Sequence, residues 1–492
     1  MKEGNPLRIY NTLTGRKETF IPQNPPEVKM YTCGVTVYDH CHLGHGRSLY
    51  VFEIIRKYLQ YKGFKVKFVR NITDVDDKII NKARQWRKEK KIDRNPDLMS
   101  VVRSVAKTYI KSYREDRDNL GISSADEEPQ AIDNIPEMGQ FIQELIRKNF
   151  AYEIEGNIYF SVREFPAYGK LSGRKIDELL EGVRKEVDPL KKEPFDFALW
   201  KVQKKDEPSW ESNVGQGRPG WHIECSVMAR KYLGDTLDIH GGGRDLVFPH
   251  HENEIAQSES LTGKPFARYW IHHGLLTING QKMAKSLGNF ITLKDAIKRY
   301  SPDVLKILYL SAHYRSSLDF SDKKINEVET VAGRITTFIK QLKSRLKIRP
   351  GTESIPLKNS DFSHREFKEL HRKFEESMDD DFNMPAGFSA VFDVIRIVNE
   401  NLERERSFFA EAKGLLYEIL DMFSLFKDER SAGEKEIFEG LNEKNIEEKI
   451  ARRNQLRAEK KYKEADIVRE KLLNKGIVLE DVPGGKTIWY RK

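Results

Sequence analysis

Cysteine is scarce in this chain, three in 492 residues, which excludes a disulfide framework and fits a reducing, cytoplasmic setting. No Cys-x-x-Cys pair occurs, so spacing supplies no ready-made zinc signal. No His-Glu-x-x-His run occurs either, which argues against a zinc hydrolase. No apolar run approaches the length of about 20 residues that a membrane span needs. Met1 to Pro6 carry no apolar h-region, so neither a membrane anchor nor secretion is expected. There is no internal repeat. Charge, by contrast, is abundant: charged residues make up 33% beside 38% apolar ones. That is enough for real cores under an ionised surface, and it rules out a disordered chain. The net charge of +9 is compatible with a polyanionic partner. At roughly 100–200 residues per domain, about three or four domains are expected.

Val28–Cys33 reads as a strand, Ser48–Tyr61 as a helix whose stripe is Leu49, Phe52, Ile55 and Leu59, and Lys65–Arg70 as a second strand of period two. Strand, helix, strand is the pattern of a parallel α/β sheet. Ile79 to Leu145 is charged and helical, Ala151 to Trp210 mixes short strands with Pro and Lys clusters, and Gly220 to Arg299 returns to α/β. After Ser301-Pro302 the pattern is helical, with breaks at 349–363 and 427–443. The tail reads as two helices followed by a strand pair around Pro483-Gly484-Gly485. The expected fold is α/β: a Rossmann-type parallel-sheet catalytic domain split by an insertion, then an all-α helical bundle and a small α+β C-terminal module. The expected boundaries are 1–130 and 211–299 for the two catalytic halves, 131–210 for the insertion, 300–348 for a helical stem-contact region, 349–430 for the bundle and 431–492 for the tail.

His42-Leu43-Gly44-His45 sits between the first of these strands and the long helix. Ligands of open α/β sheets bind beyond the carboxyl ends of strands. A helix N-terminus there offers free N–H groups to phosphates. Gly44 permits close approach, and two imidazoles can donate to phosphoryl oxygens. Far downstream, Lys282-Met283-Ala284-Lys285-Ser286 lies between glycines, as suits a loop that closes on a polyphosphate. A third constellation is chemical: Cys33 ends the first strand, Cys225 lies in Trp221–Ser226, and His250 and Glu254 stand four residues apart. Two thiolates, an imidazole and a carboxylate make a four-ligand zinc set, with His222 and His251 as competing ligands. The spacing alone equally suits two buried apolar cysteines beside a solvated His/Glu pair. Cys41 reads as packing.

The His-Leu-Gly-His turn and the Lys-Met-Ala-Lys-Ser loop, in that order, resemble the paired signatures of class I aminoacyl-tRNA synthetases. Ala284 stands where that pattern has a serine, which bears on how the loop is ordered. Cys33–Asp39, Arg70–Lys78, Gly220–Ser226, Asp238–Gly243, Phe248–Glu254, Lys282–Asn289, His313–Ser316, Met378–Asn383 and Gly476–Asp481 together resemble the cysteinyl-tRNA synthetase family over essentially the whole chain. The resemblance implies ATP-dependent activation of L-cysteine to an adenylate, followed by transfer to the terminal adenosine of tRNA(Cys), by a monomeric cytoplasmic enzyme. It implies one zinc on Cys33, Cys225, His250 and Glu254 that ligates the substrate sulfur, and magnesium with ATP. Catalysis and ATP binding fall to His42, Gly44, His45, Lys282 and Lys285, and the cysteine pocket to Gly34, Thr73, Trp221, His240 and Asp245. Anticodon recognition falls to the basic tail, where Tyr462 can stack on a base and Arg457, Asp466 and Asp481 can pair with base edges.

Overall fold

The computed structural model describes residues 5–89, 97–175, 188–205, 207–284, 287–346, 362–427, 430, 443–459, 461–473, 477–482 and 486–491. Two compact units emerge: residues 1–346 with 356–427, and residues 347–355 with 428–492.

The first unit is built on a four-stranded parallel sheet in the spatial order Ala267–His273, Leu237–Gly243, Glu27–Thr32, Lys65–Arg70. Buried strands with helical crossovers give this topology: the helix Leu43–Tyr61 carries the chain from Glu27–Thr32 outward to one edge. The helix Glu252–Thr262 carries it from Leu237–Gly243 to the other edge. The strand order reverses between Glu27–Thr32 and Leu237–Gly243, which is where such sheets open a crevice at their carboxyl ends. Cys33 and Arg244-Asp245 follow these two strands directly. The expected stripe Leu49, Phe52, Ile55 and Leu59 is buried.

The helix begins at Leu43 rather than Ser48. Its first turn is the His-Leu-Gly-His motif itself, capped by an uncommon residue, His42, and containing two glycines that read as breakers. Two short strands, Arg8–Asn11 and Arg16–Thr19, form a hairpin ahead of the sheet. The inserted segment folds as a five-stranded antiparallel sheet, and its strands Trp210–Ser212 and Gly215–Pro219 continue past residue 210. A three-residue strand, Leu318–Phe320, interrupts the helical region and pairs with Leu276–Ile278.

Two buried polar residues bind the parts together. Arg47 is fully buried, and its guanidinium donates to the carbonyls of Gly274, Leu275, His313, Tyr314 and Ser316 at 2.6–3.3 Å. Asp381, in the turn between the helices Arg365–Asp379 and Met384–Glu400, is equally buried. Its carboxylate accepts from the Tyr10 amide (2.8 Å), the Tyr314 hydroxyl (2.6 Å) and Arg315 Nε (2.7 Å). Asp381 and Phe382 both adopt positive φ, 61° and 47°. Such conformations cost side-chain-bearing residues energy, and this network holds them.

The second unit packs the helices Glu443–Ala458 and Tyr462–Leu473 on an antiparallel hairpin, Ile477–Val482 with Lys486–Arg491. Its small core is Ile446, Ile450, Leu472, Ile477 and Leu479.

Candidate active site and metal centre

A cleft of about 490 Å³ opens at the point where the strand order reverses. At one end stand Cys33, Cys225 and His250, and at the other His42, Gly44, His45, Lys282 and Met283. Residues separated by more than two hundred positions in the sequence thus line one cleft.

At the nucleotide end the two histidines cap their own helix. His42 Nδ1 accepts the N–H of His45 (3.3 Å), His45 Nδ1 accepts the N–H of His42 (3.2 Å), and the rings stack at 3.7 Å. Because both Nδ1 atoms are acceptors, the neutral rings carry their proton on Nε2. Burial, and then His42, hold His45 well below the usual histidine range, so it stays a neutral donor. A Cβ on Gly44 would lie 2.9 Å from His42 Cε1 and 3.8 Å from Met283 Cε. The glycine keeps that space open. The segment following the lysine loop is stitched to the motif: Leu43 N–H donates to Ile291 O (3.3 Å) and Leu293 N–H to Cys41 O (2.7 Å). Lys285 lies outside the described residues.

At the other end four donors converge. Cys33 Sγ is 3.6 Å from Cys225 Sγ and 3.3 Å from Glu254 Oε1, which is 2.9 Å from His250 Nε2. The ligand atoms of Cys33, Cys225, His250 and Glu254 all lie within 4.8 Å of one another. Donors at ~2.0–2.3 Å from a tetrahedral ion stand roughly 3.3–3.8 Å apart, so the spacing suits a small cation. A second set, Cys33, His240, His251 and Glu254, meets the same distance criterion and shares two members with the first.

The surroundings orient the first set. His222 Nδ1 engages His250 Nδ1 at 3.0 Å, leaving Nε2 toward the donors, and His240 Nε2 engages Glu254 Oε2 at 2.7 Å, leaving Oε1. His251, the other competitor, touches Cys33 Sγ at 3.3 Å and leans on His272 at 2.8 Å, which in turn meets Thr12. Burial opposes charge on Glu254, but His240 and His250 outweigh it and hold the carboxyl well below its usual range. Burial likewise opposes charge on His250, yet Glu254 and Cys225 push it up to about 10. The hydrogen bond from Cys33 pulls Cys225 down to about 6, while burial and that same neighbour push the Cys33 thiol far up. A thiolate and a carboxylate against one imidazolium leave an uncompensated negative charge at the donors, which suits a cation.

Gly34, Thr73, Trp221 and Asp245 line the same cleft. A Cβ on Gly34 would fall 1.6 Å from Asn71 O, so only glycine lets these two chains approach. Trp221 is 42% exposed and stacks on His250 at 4.4 Å, presenting a face to the cavity rather than filling a core. His240 departs from expectation: it is fully buried beneath the cleft, between Glu254 and Trp270, and does not reach the wall. Cys41 is buried, in keeping with packing. Sequence reasoning assigns no role to Asn71, whose Oδ1 accepts the Gly34 amide at 2.9 Å, or to His272, which no local spacing ties to the site. In the second unit Arg457, Tyr462 and Asp466 are exposed, Tyr462 by 58%. Asp481 lies on a hairpin strand, with its side chain outside the described residues.

Residues 19–330 match the model of the class I tRNA synthetase (C) catalytic domain, and residues 373–427 match the DALR domain. The chain belongs to the cysteine–tRNA ligase family of class I aminoacyl-tRNA synthetases. It is 47% identical to the cysteine–tRNA ligase of Persephonella marina over 99% of this chain and 100% of that protein. It is also 47% identical to that of Aquifex aeolicus, over 99% of both. Among solved structures, its fold is similar to methionyl-tRNA synthetase of Mycobacterium tuberculosis with methionyl-adenylate (13% identity, TM-score 0.56, 81% of this chain and 89% of that one). It is also similar to a ternary LeuRS–tRNA complex of Agrobacterium radiobacter (11% identity, TM-score 0.58, 82% of this chain and 84% of that one). The likeness supports the Rossmann-type reading of the sheet. Among the described residues no helix is long and apolar enough to cross a membrane.

Proposed function

We propose that this chain activates L-cysteine with ATP, releasing pyrophosphate, and transfers the cysteinyl group from the adenylate to the terminal adenosine of tRNA(Cys). The observation that carries this reading is the single cleft that joins a two-thiol donor cluster to the His-Leu-Gly-His helix start. The cysteine carboxylate attacks the α-phosphorus. His42 and His45, held as Nε2–H donors by their mutual capping, stabilise the charge that develops there, and Lys282 and Lys285 assist on the leaving pyrophosphate. Gly44 leaves room for the nucleotide. Asp245 pairs with the substrate ammonium, while Gly34, Thr73 and Trp221 shape the side-chain pocket. His240 acts through Glu254, which it orients.

Cys33, Cys225, His250 and Glu254 would hold zinc, whose affinity for thiolate over hydroxyl would supply the discrimination of cysteine from serine. Magnesium would accompany the ATP phosphates. The attacking group is a carboxylate that has no proton to lose, so positioning and electrostatics carry the rate of activation. The helical segments after residue 300 and the module 431–492 are assigned to the RNA, with Arg457, Tyr462, Asp466 and Asp481 on anticodon bases. The protein is expected to act as a monomer in the cytoplasm. ATP–pyrophosphate exchange across all twenty amino acids tests the reading: cysteine alone should support exchange, and a chelator should abolish it. Equal exchange with another amino acid, or indifference to the chelator, would refute it.

A further inference from the structure

Ala284 brings no hydroxyl to the stretch that begins at Lys282, and a carboxamide holds the main chain there instead. Asn289 reaches back across the loop. Its Oδ1 accepts the Ala284 amide at 2.8 Å and its Nδ2 donates to the Lys282 carbonyl at 3.1 Å. Both contacts are with main chain, so they are indifferent to the side chain at position 284. The residues just after Asn289 are the ones fastened to the nucleotide motif: the Phe290 ring meets the His42 ring edge-on at 5.5 Å, and Leu43 N–H donates to Ile291 O. One carboxamide therefore links the backbone of Lys282 to a segment whose register against His42 is already fixed.

We propose that Asn289 is a positioning residue for adenylate formation, setting where Lys282 stands relative to His42 and His45 by clasping the main chain of Lys282 and Ala284. The inference rests on the ligase reading above. Asn289 touches no reacting atom in this scheme. It acts by keeping the Lys282 ammonium within range of the pyrophosphate, and a mispositioned charge is lost to the transition state while cysteine binding at the far end of the cleft is untouched.

Asn289→Ala removes both bonds, and Asn289→Asp keeps the acceptor for Ala284 but loses the donor to Lys282. At the usual net worth of two hydrogen bonds, the turnover number for cysteine-dependent ATP–pyrophosphate exchange should fall about tenfold in Asn289→Ala, and at least as far in Asn289→Asp, whose second oxygen would face the Lys282 carbonyl. The KM for cysteine and the thermal midpoint should stay at wild-type values, and tryptic cleavage after Lys282 should become faster. A turnover number within about twofold of wild type in Asn289→Ala would overturn the proposal. So would a loss shared by the cysteine KM and the thermal midpoint, which would mark a folding defect. Absence of cysteine-dependent exchange in the wild-type protein would instead sink the ligase reading itself.

Discussion

Replacing Asp381 by alanine isolates the bond that ties the helical turn to the N-terminal hairpin and to Tyr314-Arg315. Its carboxylate is fully buried and holds an amide, a hydroxyl and a guanidinium at 2.6–2.8 Å. Breaking a buried ion pair from one side costs about 3–5 kcal/mol, because the remaining partners are left desolvated and unpaired. Arg315 keeps 28% of its side chain in solvent and can rehydrate. That puts the expected cost near the lower end, about 3 kcal/mol. The positive-φ turn at Asp381 and Phe382 also loses its support. At about 1.4 kcal/mol per decade, local opening should become roughly 100-fold more frequent. Hydrogen–deuterium exchange of peptides covering Tyr10 and residues 313–316 reads this directly, with a distant peptide such as 141–147 as reference. Protection lost equally across the whole unit, or a change under threefold at Tyr10, would refute the argument that Asp381 is a local clasp.

Thiol titration checks the donor cluster without reference to activity: Cys33 and Cys225, which line the cleft, should be unreactive in freshly purified protein and become reactive on chelation, Cys225 first, while Cys41, buried away from the cleft, stays silent. Two thiols reactive at once in untreated protein would contradict it. Gly34→Ala forces a Cβ to within 1.6 Å of Asn71 O. The backbone of the cysteine pocket must then shift, and cysteine activation should fall by about 100-fold or more. A wild-type rate of adenylate formation would be incompatible with that contact. Burial holds His45 well below the usual histidine range and pulls His273 down to about 4. The unfolded chain therefore takes up protons first. Stability present above the ordinary histidine value of about 6.5 should be lost as pH falls toward 4, by up to about 1.4 kcal/mol per unit for each ring. A thermal midpoint that does not move between pH 7 and 5 would count against it. Deleting the residues after 444 should cut tRNA charging while leaving adenylate formation intact, and unchanged charging would remove the RNA role from that unit.

Periodicity exposes the elements whose burial is one-sided, such as Leu49–Leu59 along the first helix. It fails where the chain starts a helix with an imidazole cap and two glycines, since nothing in His42–Gly46 resembles an ordinary N-terminus. The strands of the hairpin Arg8–Thr19 are short and polar, and the strand Leu318–Phe320 is too short at three residues to show a period. The donor residues are legible by type, but the choice among His222, His250 and His251 is not. It depends on which ring nitrogen is occupied by which neighbour, and His222, His240 and His272 reach the cluster from three separate elements. The run Met378–Asn383 is visible as a motif without a role, because the partners that make Asp381 a clasp lie at Tyr10 and Tyr314, far away in the sequence.

Arg47 grips five carbonyl oxygens through its guanidinium. Its hold on positions 274, 275, 313, 314 and 316 is thus blind to which amino acids occupy them, provided the backbone can still follow the same path. Other contacts fix some of these positions: a Cβ at Gly274 would fall 2.2 Å from Ser316 O, and Tyr314 and Arg315 are claimed by Asp381. The arginine has no substitute either, since lysine brings three donors on a point charge where a planar fork is used. A change at Arg47 would therefore release several stretches at once, whereas a change at any one of its carbonyl partners loosens a single point of the grip.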